Sequence, residues 1–177
     1  MEERLLSPKV DRRAYITARL IEAIDDIDVA VNLWLSGRTR NAAGKVFGSV
    51  KALLSALVTK ELDKLSGIDE WYAKRGYTVP THAIKGVTKD LSNLGYPEVS
   101  SLASLAMDLH DYQYNGFDPD YSRYRKKEEV LHDLLCVAEA VLKYAKRWFP
   151  EYFDEKLETL YNFALASVEK LKRGSKA

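Results

Sequence analysis

Apolar residues recur at helical spacing along nearly the whole chain. Ile16, Leu20, Ile24, Ile27, Val31 and Leu35 step by three or four, which lines one face of a helix from about Arg12 to Ser36. Asp11 is placed to cap its start and Gly37 to stop it. After the short link Gly37-Arg38-Thr39 the pattern resumes through Val46, Phe47, Val50, Leu53, Leu54, Leu57, Val58, Leu62 and Leu65, up to Gly67. So short a connection predicts an antiparallel hairpin of two long helices.

The second helix carries a further stripe, Gly44, Gly48, Ala52 and Ala56, at every fourth position. Glycine inside a helix costs about 1 kcal/mol against alanine, so two of them call for a close neighbour. Tight packing inside the bundle satisfies that, and so does a helix-to-helix contact in a homodimer.

Beyond Gly67 the pattern loosens. A short helical turn is expected around Asp69 to Lys74, then a loop from Arg75 to Pro80, punctuated by Gly76 and Pro80. Thr81 can cap a helix through Ile84, Val87, Leu91 and Leu94, and Pro97 suits the first turn of the next, which should end near Asn115-Gly116. Phe117-Asp118-Pro119-Asp120 reads as a turn into a long helix through Val130, Leu134, Ala138, Val141 and Ala145, broken at Phe149-Pro150. A last helix uses Leu157, Leu160, Ala164, Val168 and Leu171. No strand pattern competes. The expectation is an all-α, up-and-down bundle of about five or six helices, one domain over 1–177, with its core at about 12–171, a short N-terminal arm and a basic C-terminal tail.

Composition agrees with a globular domain. The chain has 177 residues, 46% of them hydrophobic, and a formal net charge of +1, which excludes a disordered polyelectrolyte. No apolar run approaches the roughly 18 residues needed to span a bilayer, and the opening MEERLLSPKVDRR has no apolar core of a secretory signal. The lone Cys136 forms no intrachain disulfide. A cytoplasmic protein without a membrane partner is expected. Charged residues at 30% and a single glutamine, Gln113, lean towards a heat-adapted source.

Chemistry concentrates in one stretch, Asp108 to Lys127, which holds four of the eleven tyrosines and one of the three histidines. Such loops on a rigid scaffold carry function disproportionately often, although caps and solvated charges also account for these residues. Arg123-Tyr124-Arg125-Lys126-Lys127 interleaves an aromatic ring with cations, which suits phosphates and an unpaired base. Glu128 and Glu129 partly cancel that field. Arg125 and His132 lie seven positions apart on the predicted helix, sharing a face with Cα atoms roughly 10.5 Å apart. A guanidinium to steady phosphate charge and an imidazole to activate a 2′-hydroxyl are the parts of a metal-free RNA cleavage site. His110, Tyr114, Arg123, Tyr124 and Lys126 are then the expected RNA- or nucleotide-binding residues. Arg75 and His82 repeat the same separation across a loop. His110, Asp111, Asp118 and Asp120 lack a metal-binding spacing, so no metal is expected. No Gly-rich phosphate loop or other cofactor motif is present, and no cofactor is expected. Cys136, between Leu135 and Val137, reads as a packed thiol.

Gly37-Arg38-Thr39-Arg40-Asn41-Ala42-Ala43-Gly44-Lys45-Val46-Phe47, followed by Val50-Lys51-Ala52-Leu53-Leu54, resembles the start of HEPN-type helical bundles, especially the archaeal paREP-like branch. Leu109-His110-Asp111-Tyr112-Gln113-Tyr114-Asn115-Gly116 is similar to a stretch of the same branch, and the resemblance spans about residues 12–147. It implies an up-and-down helical bundle, commonly a homodimer. It also implies a metal-independent ribonuclease of a toxin–antitoxin or defence system, often paired with a nucleotidyltransferase antitoxin, or a relative that has lost catalysis and binds RNA, nucleotides or proteins. Active members carry Arg, four to six residues, then His, which Arg125 and His132 match at the upper limit. Lys126 stands where Asn, Asp or His is commoner. The rival expectation is a non-catalytic homodimeric interaction module.

Overall fold

The computed structural model describes residues 7–175, and among them only helices and turns occur. Eight α-helices follow one another: α1 (Arg12–Leu35), α2 (Thr39–Lys60), α3 (Leu62–Ile68), α4 (Trp71–Lys74), α5 (Ile84–Asn93), α6 (Glu98–Asn115), α7 (Lys127–Trp148) and α8 (Glu155–Gly174). Six span ten residues or more; the number exceeds the sequence expectation because α3 and α4 are short separate pieces. The first six residues of the N-terminal arm and the last two of the basic tail lie outside the described residues.

The first hairpin forms where the pattern puts it. The Asp11 carboxylate accepts from Ala14 N–H at 2.9 Å and caps α1. At the other end Gly37 takes φ +81, Gly37 N–H donates to Trp34 O, and Arg38 N–H donates to Leu33 O. This paired reversal needs a left-handed residue, which glycine adopts at no steric cost.

Helix α2 is the centre of the bundle. Fourteen of its 22 residues are buried, and it packs on α1, α6 and α7. It is long and apolar enough to cross a membrane, yet 78% of its most apolar window is covered by the protein itself, as expected of a core helix. Its buried hydroxyls are satisfied within the bundle: Ser49 donates to Ala23 O, Ser55 to Lys51 O and Thr59 to Ser55 O.

The small-residue stripe faces inward. A Cβ on Gly44 would lie 2.5 Å from Gln113 Cδ of α6, and one on Gly48 would lie 3.2 Å from Asp26 Oδ2 of α1. Ala52 and Ala56 are buried. The glycines therefore admit side chains of neighbouring helices of the same chain, while Gly44 and Gly48 themselves are half-buried.

The apolar period suggested that α2 runs on to Leu65. Instead the helix breaks at Glu61, where φ −95 and ψ 14 end the regular turn. Glu61 is buried and accepts from Tyr96 O–H and Lys64 Nζ, each at 2.7 Å. Burial opposes its charge, but these two donors outweigh it and hold the carboxyl below its ordinary value. Thr81 also departs from expectation. A 3-10 turn over Thr81–Ala83 precedes α5, and the Thr81 hydroxyl caps nothing but accepts from Lys51 Nζ at 3.3 Å.

Candidate functional site

Four helix ends converge at one end of the bundle. Thr39 Oγ1 meets Tyr112 Oη at 2.9 Å, and Arg40 donates to the carbonyls of Gln113 and Tyr114. Lys127 Nζ lies 5.3 Å from the Trp34 ring centroid. The start of α2 and the end of α1 are thus fastened to the end of α6 and the start of α7. The connection between α6 and α7 is the region that the sequence marks as dense in polar and aromatic residues.

The expected pair of Arg125 and His132 does not share a helix. Arg125 lies two residues before α7, because Glu129 reaches back and accepts from the Arg125 N–H at 2.7 Å and the Lys126 N–H at 3.3 Å. Its guanidinium then pairs with the same carboxylate at 3.2 Å. The backbone donor of Arg125 is the main cause that pulls the Glu129 carboxyl below its usual range. His132 is exposed on α7, with Nε2 3.7 Å from Cys136 Sγ. Arg125 and His132 do border one shallow depression, but Glu128, Glu129 and Asp133 border it too. Those carboxylates oppose a phosphate.

Tyr124 is turned inward. It is only 7% exposed, its hydroxyl donates to Asp133 at 2.9 Å, and its ring stands edge-on to Tyr112. Burial first, and then Asp133, push its phenol far above the ordinary value. It is a pin between the loop and α7, with no face for a base.

His110 and Tyr114 point elsewhere. The His110 ring stacks on Phe47 of α2 with centroids 4.1 Å apart and meets the edge of Tyr114 at 5.1 Å. His110 Nδ1 is buried and has no hydrogen-bond partner among the described residues. Lys126 is exposed at the approach to α7.

The exposed rings of this end are Tyr114, Phe117 and Tyr121, at 65%, 45% and 70%. Only Tyr114 was expected to contact a ligand. The signal for the others was present: Gly116, Pro119 and the aspartates mark a loop, and a ring on a loop tip has little to pack against. At the same bundle end Arg38 precedes α2 and Lys126 precedes α7, and neither has a carboxylate partner among the described residues.

Arg123 joins this end to a second feature. Its Nη1 is 3.1 Å from Asp108 Oδ1 and its Nε 3.6 Å from Asp111 Oδ2. It borders both the depression at α7 and a groove of about 600 Å³ between α5 and α6. The groove has Ile84, Ala103 and Met107 as apolar lining, with His82, Lys85, Asp108 and Asp111 around them. Arg75 closes α4 and does not border it, so the Arg75–His82 spacing builds no site. Burial is the main cause that raises the Asp108 carboxyl, reinforced by Asp111 and Asp133 and opposed by Arg123. Among the described residues no three His, Cys, Asp or Glu side chains are grouped to hold a metal ion. Burial, aided by Asp133 and Glu139, pushes the Cys136 thiol up, which keeps it protonated.

The described residues therefore form an all-helical protein, with Tyr114, Phe117 and Tyr121 exposed at one bundle end and a polar-rimmed groove between α5 and α6. A family model described as the archaeal PaREP1/PaREP8 family matches residues 18–135, about two-thirds of the chain. The protein belongs to that family. No curated protein and no solved structure matches it.

Proposed function

We propose that this protein is a HEPN-like helical module that engages single-stranded RNA at the bundle end between α6 and α7, without cleaving it. The observation that carries this reading is the set of exposed rings Tyr114, Phe117 and Tyr121, within eight residues of one another and at the bundle end where Arg38 and Lys126, without a carboxylate partner among the described residues, precede α2 and α7. Every base offers a π-face, so such rings hold an unpaired strand without reading its sequence. Cations beside them hold phosphates and make binding salt-dependent. A strand bound here is contacted by Tyr114, Lys126 and Arg123 from the original expectation, joined by Phe117, Tyr121 and Arg38.

Binding is favoured over cleavage because the guanidinium of Arg125 is engaged by Glu129 and three carboxylates face the space next to His132. A homodimer, a toxin–antitoxin or defence setting and a nucleotidyltransferase partner belong to the same proposal, on the resemblance alone.

The experiment is RNA titration of the parent and of Tyr114→Ala and Tyr121→Ala, with an RNA cleavage assay in excess EDTA alongside. Each substitution removes about 1–3 kcal/mol of stacking, which is roughly 5- to 150-fold in affinity. Cleavage that is lost in both Arg125→Ala and His132→Ala would replace the binding reading with the ribonuclease one.

A further inference from the structure

We infer that the groove between α5 and α6 is a binding site for a free amino acid with an uncharged side chain. The short link Leu94–Pro97 folds the two helices back on each other, and Ser92 Oγ meets Ser100 Oγ at 3.0 Å next to it. The start of α5 therefore lies alongside Met107–Asp111 of α6, and the charged groups that border the groove collect at that end. They stand on facing walls. His82 and Lys85 belong to the 3-10 turn and the first turn of α5, and neither forms an ion pair among the described residues. Lys51 of α2 stands behind this wall, with its Nζ 3.3 Å from Thr81 Oγ1, and also has no carboxylate partner among the described residues. On the α6 wall Asp108 and Asp111 share the single guanidinium of Arg123, which leaves one negative charge in excess.

Opposite charges that border one space without pairing across it suit a ligand that carries both charges on one small unit. The ligand carboxylate accepts from Lys85, with Lys51 behind it, and the ligand ammonium donates to Asp108 and Asp111. A lone anion meets the two aspartates close to its partner, and a lone cation meets Lys85 and Arg123, so each is held less well than the zwitterion. Away from the charges the groove runs past Ile84, Ala103 and Met107 to the hydroxyl residues Thr88, Ser100 and Ser104. No charged group borders that part among the described residues, so a charged side chain placed there has no counter-ion. A volume of about 600 Å³ is that of ordinary small-molecule sites and leaves room for an aliphatic side chain beyond the charged head.

The site is independent of the RNA surface, since Tyr114, Phe117 and Tyr121 do not border it. The test is calorimetric titration of the full chain with leucine, N-acetyl-leucine, leucine amide and lysine. Variants are Lys85→Ala, Ser104→Trp, which fills the groove from its α6 wall, and the double substitution Tyr114→Ala, Tyr121→Ala. Saturable binding of leucine is expected. N-acetyl-leucine lacks the ammonium and leucine amide the carboxylate, and each should bind at least about tenfold more weakly. Lysine should also bind more weakly than leucine. Leucine binding should weaken about tenfold in Lys85→Ala, vanish in Ser104→Trp and persist in the double variant. The proposal is overturned if leucine does not bind at millimolar concentration, or if lysine or either analogue with a single charge binds as tightly. It is also overturned if binding survives Ser104→Trp, or is lost in the double variant, where circular dichroism and melting match the parent. Loss of RNA binding in the double variant with leucine binding retained leaves this site standing. RNA binding that persists there would remove only the RNA surface.

Discussion

Arg123 Nη1 lies 3.1 Å from Asp108 Oδ1, and the pair forms the partition between the α5–α6 groove and the depression at the start of α7. The loop from Gly116 to Lys126 is thereby tied to α6 by an ion pair and to α7 by the Tyr124–Asp133 hydrogen bond. These two ties fix the direction in which the exposed rings of the loop face. The first is open to water and contributes little to stability; the second is partly buried.

The Tyr124 pin is the more costly to remove. Tyr124→Phe keeps the ring and leaves the Asp133 carboxylate without its donor, and should lower stability by about 1–2 kcal/mol. Arg123→Ala should cost less than about 1 kcal/mol. Paired urea melts of the two variants check the order.

Glu61 provides a pH test. Its carboxyl lies below its ordinary value in the folded chain because burial is outweighed by Lys64 and Tyr96. A depressed folded pKa means that the contribution is complete above the unfolded carboxyl value of about 4.3 and is lost as pH falls through the lower folded one. Glu61→Gln should therefore melt below the parent near neutral pH. The gap should close once the pH is under the folded value, and thermal melts across the acid range measure it.

Gly44 tests how the stripe is used. Alanine there meets only the far end of the Gln113 side chain, and it gains helix propensity of about 1 kcal/mol. Gly44→Ala should fall within about 1 kcal/mol of the parent, whereas leucine at this position should destabilise strongly by overpacking. Neither should change the oligomeric state, because the space at Gly44 is taken by the Gln113 side chain of the same chain. Light scattering with melting curves checks both.

How much of this was legible in the sequence depends on the range of the interaction. The α1–α2 hairpin follows from local terms, an Asp cap and a glycine that permits a left-handed turn, so its ends are readable from residues a few positions apart. The break at Glu61 is not, since Leu62 and Leu65 continue the apolar period and the stabilising donor, Tyr96, is 35 positions away. Arg125 was assigned to the helix because charge spacing cannot reveal that Glu129 captures two N–H groups and delays its start. Tyr124 looked like a surface ring between cations until Asp133 drew it inward. The groove arises only from the packing of α5 on α6, and none of its pairings is encoded in local spacing.

Cleavage chemistry is tested by incubating the protein with RNA in excess EDTA. The engaged Arg125 and the carboxylates around His132 predict no product above the buffer control. Arg125→Ala and His132→Ala should then leave RNA binding within a few-fold of the parent.

The central claim is that exposed rings at the α6–α7 end hold an unpaired strand. Fluorescence anisotropy with a short labelled single-stranded RNA, at several salt concentrations, measures it most directly. The account predicts saturable binding that Tyr121→Ala weakens at least about fivefold. It also predicts a log–log salt slope of about −1.4 to −2.1, for two or three phosphate contacts at about −0.7 each. No saturable binding at low salt, or binding that Tyr114→Ala and Tyr121→Ala together leave unchanged, would contradict it.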